Sequence, residues 1–167
     1  MRGPDSTGML LRSLCLTEMV RQYEPLAAKA EEDGWSHAEY LRNLCEIELA
    51  ERQTRSVERR LKQSGLPEGK SLETLDQKLL PAKVRRQIPR LLEGTFVEKA
   101  ENVLAFGLPG RGKTHLLTGI ARELIIQHNC QVLFLTTFHL VQRMLKAKKD
   151  LELETLLRKL DRYDVVF

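Results

Sequence analysis

The chain has 167 residues, 42% of them hydrophobic and 30% charged, which is room for one domain with an appendage rather than two full domains. No apolar run approaches the roughly 20 residues that span a bilayer, and the short stretch Met9–Leu11 is interrupted by Arg12 and Ser13, so it does not read as a secretory signal. Lys and Arg number 27 against 23 Asp and Glu, a net charge of +4 that permits an anionic partner without demanding one. These features point to a cytoplasmic protein without membrane contact. Cys15, Cys45 and Cys130 are odd in number and widely separated, which argues against a disulfide framework or a paired zinc motif. Three buried, small apolar side chains are expected instead.

In chain order, Leu14, Met19 and Val20, then Leu41, Leu44, Ile47 and Leu49, recur at three- and four-residue steps, so two or three helices are predicted from Leu10 to about Gln63. Asp33-Gly34-Trp35-Ser36 joins a glycine stop to a serine start, and Glu39 stands three residues after Ser36, the spacing of a capping box. Trp35 is expected to anchor the core of this region. The helix after Ser36 runs without Pro or Gly to Ser64 and becomes basic, with Arg52, Arg55 and Arg59 on one face. Such a face is ordinarily solvated and paired at i,i+4, as Glu51 with Arg55 would be. The other reading is phosphate contact with DNA, insensitive to sequence and weakened by salt.

The punctuation of Ser64-Gly65-Leu66-Pro67-Glu68-Gly69 marks a boundary. Residues 72–92, cut by Pro81 and Pro89, read as short helices and turns and carry Lys83, Arg85, Arg86 and Arg90, a second candidate contact with DNA. Val103–Phe106 is then a strand, followed by a Gly/Pro loop and by Leu116–Ile126 at helical spacing. Val132–Leu135 is a second strand, Phe138–Lys146 and Leu151–Leu160 are helices, and Asp164–Phe167 opens a third strand. Strands alternating with helices predict an α/β fold with a parallel sheet. The organisation is a helical domain over 10–64, a linker with short helices over 65–95 and an α/β domain over 96–167.

Gly107-Leu108-Pro109-Gly110-Arg111-Gly112-Lys113-Thr114 has the spacing G-x-x-x-x-G-K-[ST], which describes a phosphate-binding loop between a strand and a helix. Glycines let the backbone curl so that successive N–H groups face phosphate oxygens, and the following helix adds its positive end. Lys113 supplies a point charge for the β- and γ-phosphates of ATP, and the Thr114 hydroxyl is a ligand for Mg²⁺. With Gly near 7% of residues, these four fixed positions coincide by chance in well under roughly 2% of chains this long. His115 borders the loop, but it has no acid or cysteine at a nucleophile spacing and reads as a helix-packing or surface residue. Asp164 precedes its apolar run, whereas a metal-linked acid should follow one, so it reads as the leading edge of a strand.

Several of these stretches resemble the IstB-like helper ATPases of bacterial insertion sequences, relatives of DnaC-type helicase loaders within the AAA+ group. Leu11–Met19 is similar to that family's opening helix, Gly34–Leu41 to its "G-x-S-x-x-E-[FY]-L" turn, and Glu46–Arg52 to the helix that becomes arginine-rich. Phe96–Leu104 with the loop that follows is the most family-specific passage. Gly107, Gly110, Gly112, Lys113 and Thr114 match the family loop residue by residue, with Leu108, Pro109 and Arg111 at its variable positions and His115 beside it. Arg111 stands where Thr or Val is commoner.

The resemblance implies binding of ATP and Mg²⁺, assembly as a homo-oligomer on duplex DNA with low sequence specificity, and assistance to a transposase encoded by the same element. It implies a helical domain followed by the first part of an AAA+ type P-loop domain with strand order 5-1-4-3-2. The family's acidic metal site, sensor residues and intersubunit arginine come later than the sequence reaches. ATP binding without hydrolysis is therefore expected of this stretch, with an incompletely paired second half. A helicase loader, a non-catalytic DNA-binding fragment and a gene relic are the alternatives.

Overall fold

The computed structural model describes residues 6–167, and residues 1–5 of the leader that precedes the resemblance lie outside them. The chain forms two compact units, one up to Ser56 and one over Val57–Phe167. No helix among the described residues is long and apolar enough to cross a membrane.

The first unit contains α1 (Ser6–Ser13), α2 (Thr17–Asp33) and the first two-thirds of α3 (His37–Ser64). The capping box forms as its residue types dictate: Ser36 Oγ accepts from the Glu39 N–H at 3.2 Å, and Glu39 Oε2 accepts from the Ser36 N–H at 2.8 Å. Gly34 ends α2 at φ 67°. The first-turn amides of α2 have no partner within their own helix, and Glu48 of α3 supplies one, accepting from Glu18 N–H at 2.8 Å and Met19 N–H at 3.1 Å. Its other oxygen accepts from Arg52 Nε at 2.8 Å. The side chain of Glu48 is 4% exposed, so a buried carboxylate with three donors joins α2 to α3.

Two expectations for the small residues and the tryptophan are corrected here. Cys15 is exposed, because it occupies the turn after α1 at φ 56°, and Cys45 and Cys130 are half-buried. Trp35 is also half-buried, with Lys29 Nζ 5.5 Å from its ring centroid, so it serves as a partly covered platform for a cation rather than as a core anchor.

The second unit is organised around α6 (Lys113–His128), which buries two faces. Leu116, Ile120 and Leu124, at four-residue steps, pack with Leu80 and Ile88 of the preceding segment. Ala121 and Ile125 pack with Val132, against Val57 and Leu61 from the end of α3 and Leu66. Between Gly69 and α6 run a tight helical turn at Gln77–Leu79, α4 (Ala82–Leu92) and the short α5 (Thr95–Glu98), with Pro81 at the start of α4 where its missing N–H costs nothing.

The sheet is a parallel pair, β1 (Val132–Leu133) with β2 (Val165–Val166), in register Val132 to Val165 and Leu133 to Val166. Its crossover is made by α7 (Thr137–Lys149) and α8 (Leu153–Leu160). The fold is therefore mostly helical α/β with a small parallel sheet. Two strand expectations shrink. Val132–Leu135 keeps its regular strand only over Val132–Leu133; beyond it the Leu135 N–H still donates to the Phe167 carbonyl at 2.7 Å, and on the strand's other edge the Phe134 N–H donates to the Ser64 carbonyl at 2.7 Å. Val103–Phe106 forms no strand: no described segment supplies the ladder partner its backbone needs, and Leu104 and Phe106 stay 75% and 88% exposed.

Candidate phosphate-binding site

The loop 107–112 leads directly into the first residue of α6, and its conformation follows from its glycines. Gly110 and Gly112 both adopt φ 76°, a region that side chains with a Cβ enter at a cost, and Gly112 is the N-cap of α6. The N–H groups of residues 110–114 donate to no protein acceptor among the described residues. They are a set of free donors at the positive end of a 16-residue helix, the arrangement that receives an anion.

Lys113 folds back over this loop. Its Nζ donates to the carbonyls of Gly107 and Leu108, at 2.8 Å each, so the ammonium is held beside the free amides by neutral acceptors that a phosphate can replace. Thr114 is exposed in the first turn, and its hydroxyl makes no hydrogen bond with any described residue. That suits a Mg²⁺ ion, which keeps several waters and takes few protein ligands. Among the described residues no group of three or more His, Cys, Asp or Glu side chains is placed to hold a metal ion. Asp164 stands immediately before β2, where its Oδ2 accepts from the Gln131 N–H at 2.7 Å.

His115 points away from the loop. Its Nε2 lies 2.9 Å from both the Ser71 carbonyl and Thr74 Oγ1, which braces the turn after Gly69 against α6. One turn further, Gly119 allows Leu72 close approach: a Cβ on Gly119 would lie 2.8 Å from Leu72 Cδ2 and 3.0 Å from Leu72 N. Beside the loop is a chamber of about 460 Å³, walled by Leu79, Leu80, Val84 and Ile88 and closed on one side by Gly107 and Lys113. Sequence patterning gave no sign of it, because its wall comes from a segment some 25 residues before the loop. Leu79, exposed beside the buried Leu80, stands in this wall.

The basic residues separate into two groups. Arg52 pairs with Glu48 and donates to the Cys15 carbonyl at 3.0 Å, and Arg55 pairs with Glu51 at 2.7 Å and donates to Thr17 Oγ1 at 2.8 Å. Arg59 on the same helix, and Lys83, Arg85 and Arg86 on α4, are exposed and form no ion pair with any described carboxylate.

Residues 9–167 match the family model described as IstB-like ATP binding protein. An insertion-sequence ATP-binding protein of Sinorhizobium fredii is 36% identical over 160 residues, covering 95% of this chain and 53% of its own length. The ATP-binding protein of insertion sequence IS5376 from Geobacillus stearothermophilus is 35% identical over 145 residues, covering 87% of this chain and 57% of that protein. That of insertion sequence IS21 from Pseudomonas aeruginosa is 33% identical over 152 residues, covering 91% and 57%. The chain spans about half the length of the curated relatives it matches. A glycine loop with free amides, a folded-back lysine and an exposed threonine thus lies within a match that runs almost from end to end, and the chain belongs to the IstB-like ATP binding protein family.

Proposed function

We propose that this chain binds ATP with Mg²⁺ at residues 107–114, as part of an insertion-sequence helper that assembles as a homo-oligomer on duplex DNA and assists the transposase of the same element. The observation that carries the nucleotide assignment is Lys113, parked on two carbonyls next to amides that have no other acceptor. On binding, Lys113 exchanges those carbonyls for phosphate oxygens, the loop N–H groups donate to the same phosphates, and the Thr114 hydroxyl holds the metal ion. Mg²⁺ neutralises charge between the β- and γ-phosphates. The apolar chamber walled by Leu80 and Ile88 takes the base, since a flat heteroaromatic ring is best covered by apolar side chains.

The organisation we assign is a helical domain over 10–64, a linker over 65–95 and the first part of an AAA+ type P-loop domain over 96–167. Binding rather than hydrolysis is assigned to these residues, because hydrolysis needs a carboxylate that orients water or metal, and Asp164 is engaged by the Gln131 amide. Arg59, Lys83, Arg85 and Arg86 are the DNA contacts this reading favours over Arg52 and Arg55, which already hold carboxylates. Titration calorimetry with ATP and Mg²⁺ on the chain and its Lys113→Ala variant tests the nucleotide assignment. Saturable binding by the parent and binding weaker by roughly ten- to hundredfold in the variant are expected, and equal binding by the two would overturn it.

A further inference from the structure

The end of α3 and the starts of the two strands enclose a second polar cavity that the nucleotide site does not use. It has a volume of about 200 Å³ and is lined by Arg59, Arg60, Gln63, Gln131, Val132 and Tyr163. All six belong to the second unit. Gln63 follows Arg59 and Arg60 at four and three residues, so one stretch of helix supplies two guanidinium groups and an amide to the same space. Gln131 stands immediately before β1, and Tyr163 before Asp164, which itself precedes β2, adding a second amide and a phenol.

Neither arginine is paired with a carboxylate of the described residues. Arg60 Nε is shielded from solvent and has no hydrogen-bond partner among the described residues, a costly state for a charged donor. The neighbouring Asp164 carboxylate is turned to the Gln131 N–H at 2.7 Å. Burial pushes the Cys130 thiol up, Asp164 adds to that and Arg60 opposes it, which places the Arg60 charge within reach of the residue before Gln131. A lining with two cations, two amides and a hydroxyl, and without a carboxylate, is complementary to a small oxyanion. The paired terminal nitrogens of a guanidinium fit two oxygens of one phosphate, and the shielded Arg60 Nε–H beside them reports that engagement through the shared guanidinium charge.

The geometry points to a phosphate seat formed by Arg59, Arg60, Gln63, Gln131 and Tyr163, which holds a phosphodiester group of duplex DNA. The duplex as the source of that phosphate rests on the DNA-assembly reading above, and the seat itself does not. It also gives α3 a division of labour. Its earlier arginines are spent on Glu48 and Glu51, and its last two are kept for a ligand.

The test uses the purified 167-residue chain. The Arg60 Nε–H resonance, assigned through bonds, is followed during titration with inorganic phosphate and, separately, with a short duplex. Duplex affinity is measured by fluorescence anisotropy for the parent and for Arg60→Lys, which keeps the charge and removes the fork. The expected result is a shift of that resonance with both ligands and a loss of about tenfold in duplex affinity for Arg60→Lys. A shift with phosphate while the parent binds no duplex supports the seat as a free-phosphate site and refutes the DNA reading. Duplex binding without any shift, and equal in the two proteins, overturns the seat and leaves the DNA reading intact. No shift with either ligand overturns the seat whether or not Arg60→Lys folds.

Discussion

The ammonium of Lys113 lies 2.8 Å from the carbonyl oxygen of Gly107, the first residue of its own loop. The lysine is thus held by its loop before any ligand arrives, and the loop's carbonyls and a phosphate compete for one cation. Removing the ammonium deletes a charge-assisted contact worth about 1.5–3 kcal/mol. Lys113→Ala is expected to weaken ATP binding by roughly ten- to hundredfold while leaving the melting temperature close to that of the parent. Calorimetry and a thermal melt on the same samples check both halves.

Glu48 ties the stability of the helical unit to pH. Burial works against its ionisation, but the Arg52 hydrogen bond and the Met19 and Glu18 amides outweigh burial and hold the carboxyl below its usual value of 4.5. The folded state therefore favours the ionised form, and that stabilisation is present above pH 4.5 and lost as pH falls through the lower folded value. Glu48→Gln is expected to cost about 1–3 kcal/mol at neutral pH and to flatten the acid limb of stability against pH. Denaturant melts followed by far-UV circular dichroism between neutral and acid pH give the comparison.

Gly119 lies in the middle of a helix, where Ala would ordinarily be better by about 1 kcal/mol. Here the sign reverses, because the new methyl would meet the Leu72 backbone nitrogen at 3.0 Å as well as its side chain. Gly119→Ala is expected to destabilise by about 1–3 kcal/mol. The double variant with Leu72→Ala is expected to recover only part of that, since the backbone contact remains, and chemical denaturation of the four proteins of this cycle measures it.

Leu104 and Phe106 are exposed in a segment without ladder partners among the described residues, which is a template for association between chains. Phe106→Ser is expected to change folding stability by less than about 0.5 kcal/mol and to lower the light scattering of concentrated samples. Equal scattering by parent and variant would place the association elsewhere.

Local chemistry was the legible part of the sequence. The Ser36 and Glu39 pair, the Gly34 stop and the i,i+4 pair of Glu51 with Arg55 each depend on residues within four positions and are found where spacing puts them, while the helix read from Leu116 opens three residues earlier, at Lys113. What depends on distant partners was not legible. Val103–Phe106 has a strand's composition, but composition does not provide a neighbour to pair with. The free edge of β1 is met at Phe134 by a carbonyl 70 positions earlier, that of Ser64. The apolar chamber beside Lys113 and the cavity at Arg60 are likewise assembled from segments far apart in the chain. Arg52 and Arg59 share one helical face; Glu48, four positions before Arg52, is a local partner that tells them apart, whereas the Cys15 carbonyl that Arg52 also reaches lies 37 positions away.

The parallel ladder of β1 and β2 also bears on the order in which the chain acquires structure. Two residues on each strand meet across a span of 33 positions, as the Gln131 to Asp164 contact records. Closing such a span is entropically unfavourable until both intervening helices are in place, and a ladder this short returns little for it. Folding is accordingly expected to begin in α6 and the helices against it, with the sheet a late event. Register is then set less by the ladder than by its end fastenings: the Asp164 carboxylate at one end, and at the other the Phe134 and Phe167 rings with centroids 5.5 Å apart.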